Sequence, residues 1–324
     1  MKLSACLEMA GMAAMLAAAV ANAVFAQTYP YRPVRFIVPY AAGGATDILT
    51  RVIEPGLSER LGQRVVVDNR PGAGAIVGTS LLAKATPDGY TIMMAEIAQG
   101  ANPALHSKLP YNTLKDFASV TLVALMPTVL VVPPSLAVTS VGELIALAKS
   151  RPGQLNYSSS GYGSANFLAA ELFKSATGIK VVHIPYQGGS QALAAILGNQ
   201  AQMLFTTLPP SIPHIKAGRV RALALGGRTR TPLLPDVPTV AESAVPDFQV
   251  YLWLGVLAPA GTSRQIITRL NSEIKTVLTL PRVRERIAGL GAEIVGSTPQ
   301  QLTDHIKSEI ARWTKVITPD LRVD

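Results

Sequence analysis

Three short segments of the sequence combine glycine with small hydroxyl side chains in a pattern suited to binding anions. Each segment follows an apolar run and precedes apolar residues at helical spacing, which places it between a strand and a helix N-terminus. Such a turn offers free backbone N–H groups and the positive end of a helix dipole, so it can hold a carboxylate or a phosphate without an arginine. The glycines that would let the backbone approach a ligand closely are Gly43, Gly44, Gly161, Gly163, Gly188 and Gly189.

One such turn alone has a structural explanation, because strand–glycine–helix turns connect elements in most α/β proteins. Three of them together favour a binding site. The first would lie in one lobe and the other two in a second lobe, so the sequence predicts a cleft between lobes. Each turn also carries a tyrosine (Tyr40, Tyr162 or Tyr186), which would either cover a ligand or pack in the core.

A fourth glycine-rich segment offers a different interpretation. Gly72, Gly74 and Gly78 follow a short β-rich run, and Glu96 comes about 20 residues later, as in a dinucleotide-binding fold. However, residues 69–71 separate the glycines from the run, and an exported protein meets no nicotinamide pool. The sequence therefore favours a structural turn behind the cleft.

The elements that must position these segments follow from the hydrophobic pattern. Short β-rich runs alternate with stretches of helical periodicity, which predicts an α/β architecture with parallel sheets. The uncharged segment 117–138 is rich in proline and β-branched residues, so we interpret it as two successive strands rather than a membrane span. This segment and residues 251–259 would cross between lobe 1 (residues 27–125 plus 250–324) and lobe 2 (residues 126–249).

The first 26 residues have the features of a cleaved signal peptide. Lys2 precedes an apolar run, residues 9–26, that ends in small residues at Ala26. An uncleaved anchor is the alternative, although this run is short for a membrane span. The mature protein would be exported to the periplasm without a cysteine, since Cys6 lies in this segment.

Composition and motifs exclude several function classes. The 324 residues include a single cysteine and four scattered histidines, which argues against a metal site. The net charge of +9 is spread along the chain in short basic clusters with little aromatic interleaving, unlike the charge of a nucleic-acid-binding protein. No nucleophile elbow, zinc-protease motif or P-loop occurs, and no histidine is placed to activate Ser164. We expect no catalytic residue, cofactor or nucleic-acid partner; the alternative is a secreted α/β enzyme acting on small acidic metabolites.

Seven longer motifs carry a family resemblance that covers nearly all of the mature chain. They are YPYRPVRFIVPYAAGGATD from Tyr29, VDNRPGAG from Val67, ATPDGYT from Ala85, SSSGYGS from Ser158, HIPYQGG from His183, PDVPTVAE from Pro235 and LAPAG from Leu257. In this order they resemble the solute-binding receptors of tripartite tricarboxylate transporters, the Bug family of extracytoplasmic receptors.

The resemblance implies an α/β, two-lobed class II periplasmic binding protein fold with the ligand cleft between the lobes. It also implies a receptor, not an enzyme, that delivers a small carboxylated solute to the membrane permease subunits of a tripartite transporter or acts on a signalling partner. We expect it to be a monomer. By position in the motifs, the implied ligand-binding residues are Gly43, Gly44, Thr46, Asp47, Ser160, Gly161, Gly163, Ser164, Tyr186 and Gly188, and Tyr40 joins them as a candidate lid.

Some positions depart from the usual pattern of that family. Phe167 stands where a histidine is frequent, Ala41 and Ala42 where a proline is common, and Glu96 where residues are small or hydroxylated. Near the cleft, Glu96 would favour a solute that carries an amine or another donor beside its carboxylate. A solvated surface acid is the alternative, and we favour it here.

Overall fold

The computed structural model describes residues 29–323, so the signal peptide predicted at residues 1–26 lies outside the described residues. Strands and helices alternate along the chain and form two lobes. The strands are β1 (Val34–Val38), β2 (Val65–Asn69), β3 (Thr91–Glu96), β4 (Phe117–Val132), β5 (Asn156–Ser159), β6 (Val182–Pro185), β7 (Leu204–Thr207), β8 (Arg221–Leu225), β9 (Tyr251–Pro259) and β10 (Glu293–Ile294).

Helices join most of these strands, and local sequence signals mark several of their ends. Ser263 caps one helix, Thr298 forms a capping box with Gln301 at another, and Gly62 and Gly178 end two helices in the left-handed conformation. The helices are α1 (Ala45–Leu61), α2 (Ile76–Ala83), α3 (Ala98–Leu105), α4 (Val141–Ser150), α5 (Ala165–Thr177), α6 (Gly189–Leu197), α7 (Leu208–Lys216), α8 (Val240–Ser243), α9 (Arg264–Thr279), α10 (Pro281–Gly289) and α11 (Pro299–Val316).

The first lobe is built on strands in the order β2–β1–β3–β9–β4–β10. β1 runs parallel to β2 and β3, whereas β9 runs antiparallel to β3 and β4. The sheet is therefore mixed, and the prediction of parallel sheets was wrong here because β4 and β9 are not joined to their neighbours by helical crossovers. The three parallel strands end at Val38, Asn69 and Glu96, and these carboxyl ends lie at one edge of the sheet.

The second lobe contains the parallel pair β5–β6 and the strands β7 and β8, which both pair with the last part of β4. A bridge between Tyr157 and Met203 connects β5 to the segment that leads into β7. The carboxyl ends of β5 and β6, at Ser159 and Pro185, again share one edge. Each lobe thus presents one edge of strand ends from which loops lead into helices.

β4 is shared by both lobes. Residues from Phe117 to Pro127 pair with β9, and residues from Thr128 onward pair with β7 and β8. The segment predicted as two successive strands is thus one strand whose partners change beside Pro127, a residue that has no N–H for a ladder. Among residues 29–323, no helix has both the length and the apolar character needed to cross a membrane.

The largest buried side chains fill the space between the sheets and their helices. Trp253 on β9 and Trp313 on α11 are fully buried, and both indole N–H groups donate to Glu309 Oε2, at 3.2 and 3.0 Å. This contact fixes the C-terminal helix against the strand that returns from the second lobe. Phe167, Phe173 and Phe205 fill the corresponding place in the second lobe.

Candidate ligand-binding cleft

The two edges of strand ends face each other and touch. A Cβ atom built on Gly74, in the loop after β2, would lie 3.0 Å from the carbonyl oxygen of Tyr162 in the second lobe. A Cβ atom on Gly163 would lie 3.0 Å from Oδ1 of Asn102 on α3 of the first lobe. Asn102 Nδ2 donates to Gly74 O at 2.9 Å, so these residues form one contact between the lobes.

The first predicted segment is a loop, residues 40–44, that is held in shape by Asp47. The Asp47 carboxylate accepts hydrogen bonds from Gly43 N–H at 2.9 Å, Asn69 Nδ2 at 2.9 Å and Arg51 Nε at 3.0 Å to each oxygen. Burial opposes the charge, but the bonds from Arg51, Gly43 and Asn69 outweigh it and keep the pKa of Asp47 below its usual value. The Asp47 side chain therefore shapes the loop, and Gly43 N–H is already engaged.

Three helix N-termini at these edges offer backbone donors. The N–H groups of the first residues of α1, α5 and α6 form no hydrogen bond with any residue in the described part of the chain. They are those of Ala45, Thr46 and Asp47 on α1, Ala165 and Asn166 on α5, and Gly189, Ser190 and Gln191 on α6. Such groups favour an anion, and the sequence predicted this arrangement from the three glycine-rich turns.

The small hydroxyls of the site have partners within the protein. Ser160 Oγ donates to Asn166 Oδ1 at 2.6 Å, Ser164 Oγ donates to Gly161 O at 2.6 Å, and Thr46 Oγ1 donates to Glu96 Oε2 at 2.7 Å. The hydroxyl protons that the sequence offered as ligand donors are therefore used to shape the loops. The backbone N–H groups at the helix starts therefore remain available as donors.

The three tyrosines differ in their exposure. Tyr162 is 42% exposed, and its ring packs edge-on against Phe167 and His183, so it is the tyrosine available to cover a ligand. The Tyr40 hydroxyl is buried inside the first lobe beside Glu96. Tyr186 is half-buried, and its N–H donates to Ser159 O at 2.9 Å, which joins the loop before α6 to that before α5.

Gly161 and Gly163 adopt positive φ angles of 102° and 76°, and Gly188 is the N-cap of α6. Gly44 is the N-cap of α1. Gly72, by contrast, meets Val77 in the first turn of α2, where an added Cβ would lie 2.8 Å from Cγ2. These contacts give the fourth glycine-rich segment the structural role that the sequence favoured.

Folding also brings together a serine and a histidine that are distant in sequence. Ser159 Oγ lies 2.7 Å from His183 Nε2, and the His183 ring stacks on Tyr157 with ring centroids 4.7 Å apart. Burial, with a smaller effect of Lys174, lowers the pKa of His183 to about 4, so the ring is neutral. Ser159 is fully buried, and among the described residues no acid accepts a hydrogen bond from His183 Nδ1. The pair lacks the access and the orienting acid of a nucleophilic site.

Glu96 is where the sequence analysis was wrong about exposure. Its side chain is only 5% exposed, so it is not a solvated surface acid. Burial raises the pKa of Glu96 to about 7, and hydrogen bonding by Tyr40 and Thr46 reduces the shift only in part. Its position at the end of β3, the strand beside β1, places it behind the loop of residues 40–44.

Two polar residues of this edge were missed as site residues. Gln99 and Asn102 lie three positions apart on one face of α3, and both are buried. Two amides spaced i, i+3 in a largely apolar helix were the available signal in the sequence. No group of metal-binding side chains was found within residues 29–323.

Comparison with known proteins agrees with this geometry. The family model of the tripartite tricarboxylate transporter family receptor matches residues 49–320. Among curated proteins, the chain is similar to protein BugT of Bordetella pertussis, with 40% identity over 304 residues that cover 93% of each chain.

Two solved structures are similar to this chain over nearly their whole length. Rpa4515 of R. palustris, solved with adipate, has a TM-score of 0.84 and 37% identity, over 89% of this chain and 97% of that one. MatC of Rhodopseudomonas palustris, solved with bound malate, has a TM-score of 0.83 and 32% identity, over 90% of this chain and 100% of that one.

Proposed function

Since the chain belongs to the family of tripartite tricarboxylate transporter receptors, we propose that it is a periplasmic receptor that captures a small carboxylated solute between its two lobes. The bound adipate and malate of the two similar structures support a carboxylate as the solute. The chain would hold that solute and release it unchanged.

The observation that carries this proposal is the set of free backbone donors at the helix N-termini of both lobes. A carboxylate placed between α1 of the first lobe and α5 and α6 of the second would receive N–H groups from both sides. Among the described residues at these helix starts there is no lysine or arginine, so the backbone supplies the positive potential. Binding then depends on both lobes at once, which couples capture to closure.

We assign residues 27–125 plus 250–324 to lobe 1 and residues 126–249 to lobe 2. The change of strand partners in β4 beside Pro127 supports the first boundary, and the start of β9 at Tyr251 supports the second. These two strands would act as the hinge. Small changes of backbone angles beside Pro127 would be enough to separate the edges that carry the loops.

The receptor would also take part in transport across the membrane. After cleavage of the signal peptide near Ala26, the receptor would work as a monomer in the periplasm. It would deliver its solute to the membrane permease subunits of a tripartite transporter, as the family name indicates, or act on a signalling partner.

The test begins with protein that starts at Gln27 and has been freed of ligand by unfolding and refolding. A thermal-shift screen would compare mono-, di- and tricarboxylates with amino acids, phosphates and nicotinamide dinucleotides. A solute at about a thousand times its Kd should stabilise the protein by about 4 kcal/mol. Solution scattering should show compaction with the same solute, and mass spectrometry should recover it unchanged.

Stabilisation by a dinucleotide and by no carboxylate would refute the proposal. Chemical conversion of the bound solute would show an enzyme instead.

A further inference from the structure

The buried carboxyl of Glu96 has no ionic partner. The Glu96 side chain is only 5% exposed. Among residues 29–323, no lysine, arginine or histidine forms an ion pair with its carboxyl group. Each of the other deeply buried acids Asp47, Glu171, Glu273 and Glu309 has an arginine or a lysine beside it. An unpaired buried carboxylate is costly, so a chain that keeps one has a use for its charge or its proton.

Polar atoms without partners surround the same edge of the first lobe. Gln99 Nε2 and Asn102 Oδ1 are buried and form no hydrogen bond with the described residues, and the buried Tyr40 hydroxyl lies beside Glu96. Only 3% of the surface of Gln99 and 1% of that of Asn102 is exposed to solvent. Buried polar groups in proteins nearly always have a partner, so two unpaired amide atoms on one helix face indicate a site for a bound molecule.

These atoms lie where the lobes meet. Asn102 Oδ1 is the atom that a Cβ on Gly163 would approach to 3.0 Å, and Gln99 shares its helix face. Glu96 ends the strand that leads into this helix, and Thr46, its hydrogen-bond donor, begins α1. The cluster therefore adjoins the free N–H groups that would hold a carboxylate.

We propose that Glu96, Tyr40 and Asn102 form a subsite that recognises a cationic nitrogen of the solute, so that the captured molecule is an amino-carboxylate rather than a plain carboxylate. This inference rests on the proposed function, because the carboxylate end is held at the helix N-termini. Glu96 supplies the negative charge, and Asn102 Oδ1 and the Tyr40 oxygen are further acceptors for an ammonium group. A second carboxylate of a solute would instead be repelled by Glu96 unless a proton came with it.

Amino-carboxylates and plain carboxylates should change the protonation of Glu96 in opposite directions when they bind. Burial raises the pKa of Glu96 to about 7. The titratable neighbours are Tyr40 and, behind it, Tyr111; burial raises the pKa of both, so they stay neutral. An ammonium group beside Glu96 would lower its pKa and release protons near pH 7, whereas an added carboxylate would raise it and take protons up.

The experiment measures binding to the ligand-free protein from Gln27 onward by isothermal titration calorimetry with matched pairs. The pairs are succinate with aspartate, glutarate with glutamate, and 4-methylpentanoate with leucine. In the unaltered protein at least one amino-carboxylate should bind about tenfold or more tightly than its partner. Glu96→Gln should remove that difference, whereas Glu59→Gln, the same charge change at an exposed position, should keep it.

A second measurement needs no variant. Titrations at pH 7 in two buffers of different ionisation enthalpy count the protons exchanged, and the preferred amino-carboxylate should release them. Plain carboxylates that bind as tightly as their amino partners, an unchanged preference in Glu96→Gln, or proton uptake would each overturn the inference and leave the proposed function intact. Absence of binding by all six compounds would overturn the inference, whereas the proposed function is overturned only when every carboxylate in the thermal-shift screen fails to bind.

Discussion

Gly74 and Tyr162 belong to different lobes, yet a Cβ atom on Gly74 would lie 3.0 Å from the Tyr162 carbonyl oxygen. The contact leaves too little room for a side chain at this point where the lobes meet. Gly74 also has a φ angle of 58°, which an L side chain adopts only at a cost. A methyl group at residue 74 would therefore push against the second lobe.

Gly74→Ala should weaken binding of the solute by about tenfold, because the methyl group opposes contact of the lobes in the closed state. It should also lower the free energy of unfolding by about 1 kcal/mol through backbone strain. Gly153→Ala is the matched control, since Gly153 has a φ of 74° but nothing within 4 Å of an added Cβ. Calorimetry should show weaker binding only for the first variant, and equal affinity of both would contradict the role of this contact.

Ser164→Ala should affect both stability and binding. Ser164 caps α5 and donates to Gly161 O, so its loss should cost about 1 kcal/mol of unfolding free energy and loosen the loop that presents the N–H groups. We expect solute affinity to fall about tenfold. Ser140 caps α4, and its hydroxyl accepts only from Glu143 N–H. Ser140→Ala should therefore cost a similar amount of stability without changing solute affinity. Urea denaturation and calorimetry of the two variants provide the test.

Asp47→Asn should destabilise the protein at pH 7 by about 2 kcal/mol, because it weakens charge-assisted bonds with Arg51 and Gly43. The pKa of Asp47 is lowered in the folded protein, so its contribution is present above the ordinary carboxyl value of 3.8 and is lost as the pH falls below it. The difference from the unaltered protein should therefore shrink towards pH 3. Asp236→Asn, at an exposed position, should show no difference at either pH. A constant difference would mean that the charge of Asp47 is not involved.

Glu96→Gln should have the opposite pH profile in ligand-free protein. The pKa of Glu96 is raised from 4.5 to about 7, so its favourable protonated form is fully present below pH 4.5 and is lost as the pH rises through 7. The variant should gain up to about 3 kcal/mol over the unaltered protein at pH 8, and much less at pH 4.5. Urea denaturation at pH 4.5, 6 and 8 measures this, with Glu59→Gln as control. A gain that does not change with pH would refute the burial of a titrating carboxyl.

The sequence predicted the loops of the cleft better than it predicted their hydrogen bonds. Strand, glycine and helix cap are local signals, so the turns around Gly43, Gly161 and Gly188 could be identified from residue types alone. The hydroxyls of Ser160 and Ser164 were expected to face a ligand, but their partners, Asn166 and Gly161, depend on the conformation of a folded loop. The number of serines in a loop does not identify the acceptor to which each hydroxyl donates.

By itself the sequence determined the alternation of strands and helices, the family, and the positions where backbone N–H groups would be free, because all three follow from local patterns. Only the tertiary structure decided that β4 serves both lobes, that Gly74 meets Tyr162, and that Glu96 is buried rather than solvated. Those facts depend on which distant segments pack together. Burial, and with it the pKa of Glu96, is a property of the neighbours that folding supplies and not of the residue itself.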